Sequence, residues 1–209
     1  MMPGQIENMY KLQKKDISQA AAVLADAFQH DPIWNKVLAE SQIDQKRGVF
    51  EVPIRYCLRY GEVYATSENL EGIITWVPGD LADMTIWRLI RSGAIWPGLK
   101  VAVRLASKLG RVSKPFQADR KENMQDSPFI YLLVLGVASE FQGQGFGGKL
   151  LSVLIAESER AGIPLYLETE TESNVRWYEK SGFETVKQIK LPVINLPIWE
   201  MARIPTTEK

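Results

Sequence analysis

Four glycines fall within six residues, at Gly143, Gly145, Gly147 and Gly148, in the stretch FQGQGFGGKLL, which then turns abruptly apolar. Gly143, Gly145 and Gly148 spell G-x-G-x-x-G, the pattern of a dinucleotide loop. Small residues in series at a helix start expose several backbone N–H groups, and the helix dipole adds partial positive charge there. Such a loop can cradle a pyrophosphate, because glycine lets the backbone approach with no Cβ in the way. Two further stretches hold groups that could move protons. Strand alternation in PLYLETE places Tyr166, Glu168 and Glu170 on one face. NVRWYEKSGF holds Tyr178, whose phenol stays protonated at neutral pH and can donate to a leaving group.

The loop has three readings. A strand precedes the glycines, a helix follows, and Glu168 stands 20 residues after Gly148, where an acidic residue would meet a ribose hydroxyl. Against a dinucleotide-dependent oxidoreductase, Ala138 to Gln142 lie between the strand end at Val137 and Gly143, which is too long for the tight turn. Only 41 residues follow Glu168, too few for a second mononucleotide-binding half. A P-loop is excluded because Lys149 is followed by Leu150. The third reading is a plain glycine-rich turn that permits tight helix–strand packing.

The elements that must position these groups follow from periodicity. Glu7 to Leu12 reads as a short strand. DISQAAAVLADAFQ reads as a helix, opened by Asp16 and Gln19 in a capping-box spacing and ended by His30-Asp31-Pro32. A second helix runs from about Asp44 to Tyr60 and must kink or restart at Pro53. EVYAT and LEGIITWV form a hairpin closed by Pro78-Gly79. Leu81 to Lys114 is Trp- and Arg-rich and helical in pattern. Its apolar stripe is Leu99, Ala102, Val103, Ala106 and Leu109, with Lys100, Arg104, Lys108 and Arg111 opposite. This basic face is a solvated helix surface or part of a lid, and Trp87 and Trp96 could line an aromatic site. Ala118 to Ser127 is polar and reads as a loop. FIYLLVLGV reads as a strand buried on both faces. After the glycine loop come a helix, the strand PLYLET, a short helix closed by Gly182, and the strands FETVKQIKL and LPIWEMARI.

Composition narrows the chemistry. The 209 residues suit one domain, 1–209, with 81–127 as a helical insertion and loop. Acidic and basic residues balance at 25 each, so nothing at whole-chain level points to nucleic acid. One cysteine, Cys57, and one histidine, His30, exclude an internal disulfide framework and a zinc site of clustered Cys and His. Any Ser-His-Asp or Cys-His catalyst would have to run through His30. No metal is expected. No signal-like segment opens the chain, and no apolar run spans a bilayer, so the expected location is cytoplasmic, without stable membrane association.

VASEFQGQGFGGKLL resembles motif A of the GNAT superfamily of N-acetyltransferases, whose Q/R-x-x-G-x-G/A core is met by Gln142, Gly145 and Gly147. NVRWYEKSGF resembles motif B of the same superfamily. FQHDP, GIITWVPG, YLET and LPIWEMAR resemble its puromycin N-acetyltransferase-like branch. The resemblance covers Phe129 to Arg203 closely and the whole chain loosely. It implies an α+β fold in three layers: a mixed, mostly antiparallel twisted sheet of about seven strands flanked by helices, with the helical insertion after strand 3. Acetyl-CoA would lie as cosubstrate between two central strands that splay apart. Gly136 offers a device for the splay, since a glycine inside a strand marks a bulge or a close approach. A bulge would free backbone groups of Leu135 and Val137 for the pantetheine arm. The expected binding set is therefore Leu135, Gly136, Val137, Gln142, Gly143, Gln144, Gly145, Phe146, Gly147, Gly148, Asn174 and Tyr178. Backbone N–H groups, rather than Lys149, would hold the phosphates.

The implied reaction is acetyl transfer to a primary amine of a small molecule, by direct attack in a ternary complex. Tyr178 is the expected acid. Glu168 is the first choice of base, because FIYLLVLGV carries no acidic residue; Asp31 and His30 could reach the acceptor side. Cys57 reads as a core residue rather than a nucleophile. A non-catalytic acyl-CoA-binding sensor, a protein or peptide amine as acceptor, and a homodimer stay open.

Overall fold

Seven strands pair into one sheet, and which strands meet decides where it can open. In the computed structural model the described residues are 9–37, 43–95, 116–125, 127–191 and 195–206. Their strands are β1 (Tyr10–Lys11), β2 (Glu62–Ala65), β3 (Gly72–Pro78), β4 (Ile130–Val137), β5 (Leu165–Thr169), β6 (Glu184–Leu191) and β7 (Leu196–Arg203). The spatial order is β1-β2-β3-β4-β5-β7-β6. Every neighbouring pair is antiparallel except the central one, β4 with β5. That parallel pair holds together only at Ile130↔Leu165 and Tyr131↔Tyr166. β4 continues six residues past Tyr131 while paired only with β3. The sheet therefore forks at its centre.

Helices cover both faces. On one lie α1 (Ile17–Ala27), α2 (Pro32–Val37), α3 (Ile43–Tyr60) and α4 (Ile86–Ser92). A core of Leu24, Phe50, Ile54, Val63, Ile73 and Tyr131 joins α1 and α3 to the sheet. On the other lie α6 (Phe146–Ala161) and α7 (Glu172–Glu179), with Leu150, Leu154, Ile74, Leu132, Leu167 and Phe183 between helix and strand. The α+β expectation with seven strands thus agrees with the structure. Pro53 sits inside one continuous α3. Asp16 does not accept from the first turn of α1; it closes the turn before it, taking the Gln13 N–H at 2.9 Å and the Tyr10 hydroxyl at 2.8 Å.

Two sequence expectations fail for physical reasons. Residues 116–124, which overlap the loop expected over Ala118 to Ser127, form a helix, here α5. Beside buried Met124, its inward Arg120 and Asn123 have polar partners on the sheet, and a polar pattern cannot reveal that. Gly136 is not the bulge. The β3–β4 ladder slips between Thr75 and Trp76, leaving Leu133 without a direct partner. A Cβ on Gly136 would stand 2.8 Å from the Leu24 side chain and 3.1 Å from Ala27 Cβ, so this glycine admits α1 against the sheet. The expected amphipathic stripe 99–111 and Trp96 lie outside the described residues. Trp87 is exposed on α4.

Candidate active site

The fork places three sets of groups together. The first is the glycine loop, which leaves β4 and enters α6. Gly143 has φ 76° and Gly145, at the N-cap of α6, has φ 86°, a left-handed backbone that other residues adopt with strain. A Cβ at Gly143, Gly145 or Gly148 would meet nothing within 4 Å, so the space above them is open. Gly147 is different: a Cβ there would touch Trp177 at 3.4 Å, an ordinary packing contact. The first-turn N–H groups of α6 have no partner within the helix, and no side chain caps them.

The side chains of the loop brace it. Gln142 Nε2 donates to the Val137 carbonyl at 3.1 Å, and Gln144 Nε2 to the Glu140 carbonyl at 2.9 Å. Phe146 packs edge-on against Phe141. Lys149 reaches back to the Thr66 carbonyl at 3.5 Å. The loop is also tied to α1: Ser139 N–H donates to Asp26 Oδ2 at 2.6 Å, and Gln29 Nε2 to Ser139 Oγ at 2.8 Å. Beyond Tyr131 the β5-facing side of β4, including Leu135, Gly136 and Val137, has no strand partner among the described residues. An open strand edge of that kind accepts an amide-bearing chain. Open edge and open loop together fit a pantetheine and a pyrophosphate.

The second set sits at the end of β5. Glu170 follows the strand and faces Asp31. Burial, then the hydrogen bond and charge of Asp31, push its carboxyl up to about 9. Asp31 is placed by the break between α1 and α2: its Oδ1 accepts the Trp34 N–H at 2.8 Å, and Pro32 opens α2. Half-buried Phe28 and Trp34 flank this corner and pack on Phe50. Tyr178 on α7 belongs here too. Burial, then the charge of Glu170, raise its phenol, so it remains protonated throughout the physiological range. Its ring packs on Trp177 and Phe183, and its hydroxyl makes no hydrogen bond to the described residues.

The third set is a buried polar layer under α5. Glu168 accepts from Arg120 Nη1 at 2.9 Å and from the Tyr131 hydroxyl at 2.5 Å. Both of its oxygens are engaged, which sets it apart from the role expected of a base. Burial raises its carboxyl, and Arg120 opposes that rise. Glu200, opposite Glu168 on β7, is fully buried and pushed up to about 7 by burial. Its Oε2 accepts from Tyr166 and from Asn123, both at 2.8 Å, and its Oε1 has no partner.

Asn174 stands exposed in the first turn of α7, and its N–H is capped by Thr171. Cys57 is buried, and burial pushes its thiol up to about 12, so no thiolate is at hand. Among the described residues no group of His, Cys, Asp and Glu could hold a metal, and no helix is long and apolar enough to cross a membrane. Sequence reasoning placed Glu170 on the same face as Glu168 and ranked Glu168 above it. It gave no role to Arg120, and nothing in the local pattern marks that residue.

Known proteins resemble this chain in sequence or in fold. A family model described as an acetyltransferase (GNAT) domain matches residues 108–185. An uncharacterized N-acetyltransferase of Schizosaccharomyces pombe is 28% identical over 222 residues, covering 95% of this chain and 83% of the relative. The fold is shared with a crystal structure from Corynebacterium glutamicum described as histone acetyltransferase HPA2 and related acetyltransferase. The identity is 17% and the TM-score 0.62, over 97% of this chain and 98% of that one. It is also shared with mosquito arylalkylamine N-acetyltransferase like 5b, at 14% identity and a TM-score of 0.58, over 94% of this chain and 98% of that one.

Proposed function

We propose that the chain is an N-acetyltransferase of the GNAT superfamily, as the matching acetyltransferase (GNAT) domain model and the similar N-acetyltransferase support, and that it acetylates the primary amine of a small molecule, with Glu170 as base and Tyr178 as acid. The superfamily uses acetyl-CoA, which supplies a thioester carbonyl for direct attack by the amine. An alkyl ammonium with a pKa near 10.4 is about one part in a thousand neutral at pH 7, so a proton acceptor at the site is useful. Glu170 and Asp31 together form an acidic corner that attracts the ammonium. The arriving positive charge favours ionised Glu170, which then takes the amine's proton. Tyr178 gives its phenolic proton to the departing sulfur and is reprotonated by the proton the nitrogen sheds. Phe28 and Trp34 beside Asp31 offer apolar surface for the body of a compact acceptor.

The observation that carries this reading is the pairing of Glu170 with Asp31 at the fork, next to a protonated Tyr178. An amine panel incubated with acetyl-CoA and read by free thiol tests it. The expected result is thiol release with at least one small primary amine. Release should fall about a hundredfold in Tyr178→Phe, which keeps the ring packing. Unchanged release in that variant would remove Tyr178 as the acid.

A further inference from the structure

The fork raises a question that the superfamily fold alone does not answer for this chain: what fixes the point at which β4 and β5 part. Tyr131 is the last β4 residue paired to β5, and Glu168 is the next residue beyond the pairing on the same face of β5. Their side chains close the gap between the strands, Tyr131 Oη donating to Glu168 Oε2 at 2.5 Å. Arg120 seals this junction from above. Its guanidinium lies 4.8 Å from the Tyr131 ring centre and donates to Glu168 Oε1 at 2.9 Å. Its other arm holds Asp83 Oδ1 at 2.9 Å, and Gln117, one turn earlier on α5, also bonds Asp83.

One turn later, Asn123 bonds Tyr166 at 3.0 Å and Glu200 at 2.8 Å. The underside of α5 therefore clamps β4, β5 and β7 at the base of the fork. The Arg120 side chain is 9% exposed and that of Glu168 10%. Apolar side chains would fill this space without specifying a position, whereas directional bonds to β5 and β7 and a ring contact to β4 specify one.

We infer that Arg120 is a positioning residue, which through Glu168 and Tyr131 sets the opening of the β4–β5 fork and hence the fit of the acyl-CoA arm. This rests on the superfamily reading that the arm enters the fork, and it adds a determinant on the insertion. Coenzyme A itself is the probe, with binding followed by calorimetry so that no acceptor is needed. Arg120→Met should weaken coenzyme A about tenfold and lower the melting temperature, because Glu168 is left buried without its cation. Arg120→Lys should recover part of both. The deciding variant is the double Arg120→Met with Glu168→Gln, which removes the stranded charge. Its melting temperature should return to within a few degrees of wild type while coenzyme A stays about tenfold weaker. Wild-type affinity in the double variant, or affinity that recovers in step with melting temperature, overturns the inference and leaves the proposed function standing. A wild-type protein that fails to bind coenzyme A overturns both.

Discussion

The glycine loop and the end of β5 lie on either side of the same fork and are built on opposite principles. The loop offers backbone. Its glutamines and phenylalanine are turned to bracing it, and its one cation reaches away to Thr66. The end of β5, with β7 beside it, offers side chains, and the carboxyls Glu168, Glu170 and Glu200 are separated in behaviour by their neighbours. Glu168 has Arg120 and Tyr131; Glu170 has Asp31 and lies near Tyr178; Glu200 has Tyr166 and Asn123. A backbone cradle binds whatever has phosphate geometry and tolerates change where no side chain is used. A side-chain cluster gains its chemistry from low dielectric and specific partners, and loses it when one atom changes. Mutations on the two sides should therefore fail differently.

The largest effect is expected at Glu170. Glu170→Gln keeps shape and hydrogen bonding but removes the proton acceptor, so kcat should fall by about 10² to 10⁴ with little change in coenzyme A binding. Steady-state kinetics paired with calorimetry reads both. A loss of coenzyme A affinity as large as the loss of kcat would place Glu170 on the binding side and erase the contrast.

The loop should show the reverse. Gly148 has ordinary helical φ, and a side chain there would project into open space. Gly148→Leu replaces a poor helix former by a good one, worth about 0.8 kcal/mol, so the free protein should melt slightly higher. If the phosphates sit in this space, the same side chain fills it, and the acetyl-CoA KM should rise at least about tenfold. A higher melting temperature with unchanged KM would mean that the cradle is not built from this turn.

These two sides were not equally legible in the sequence. Positive φ at Gly143 and Gly145 is a local demand that only glycine meets cheaply, so the loop could be read from spacing. Strand alternation likewise put Tyr166, Glu168 and Glu170 on one face. What alternation cannot supply is the partner. Alternation could not show that Glu168 is held by Arg120, which comes from a segment 48 residues earlier whose polarity mimics a loop. Gly136 failed differently: a bulge and a close helix approach leave the same mark in a sequence, and only Leu24 and Ala27 above it tell them apart.

A smaller effect separates chemistry from stability at Glu170. Its folded carboxyl is raised to about 9, while an unfolded glutamate titrates near 4.3. The native protein thus keeps a proton that the unfolded chain releases. Its stabilising contribution is complete below about pH 4 and is lost as pH rises toward 9. Glu170→Gln abolishes that dependence. The variant should gain on wild type by a few degrees of melting temperature at pH 8.5 and by almost nothing at pH 5. Equal differences at the two pH values would show that Glu170 is not held protonated.

The smallest effect is expected where a positive charge would seem most useful. Lys149 directly follows the four glycines, and a lysine there suggests a phosphate ligand. Its ammonium instead lies against the Thr66 carbonyl on the β2–β3 turn. If the cradle is backbone, Lys149 contributes only a screened charge at several ångströms. Lys149→Met should then raise the acetyl-CoA KM less than about threefold at physiological salt, and that small change should shrink further as salt is added. A tenfold or larger rise would show that the lysine swings onto the phosphates. The loop would then bind as the end of β5 does, through a side chain.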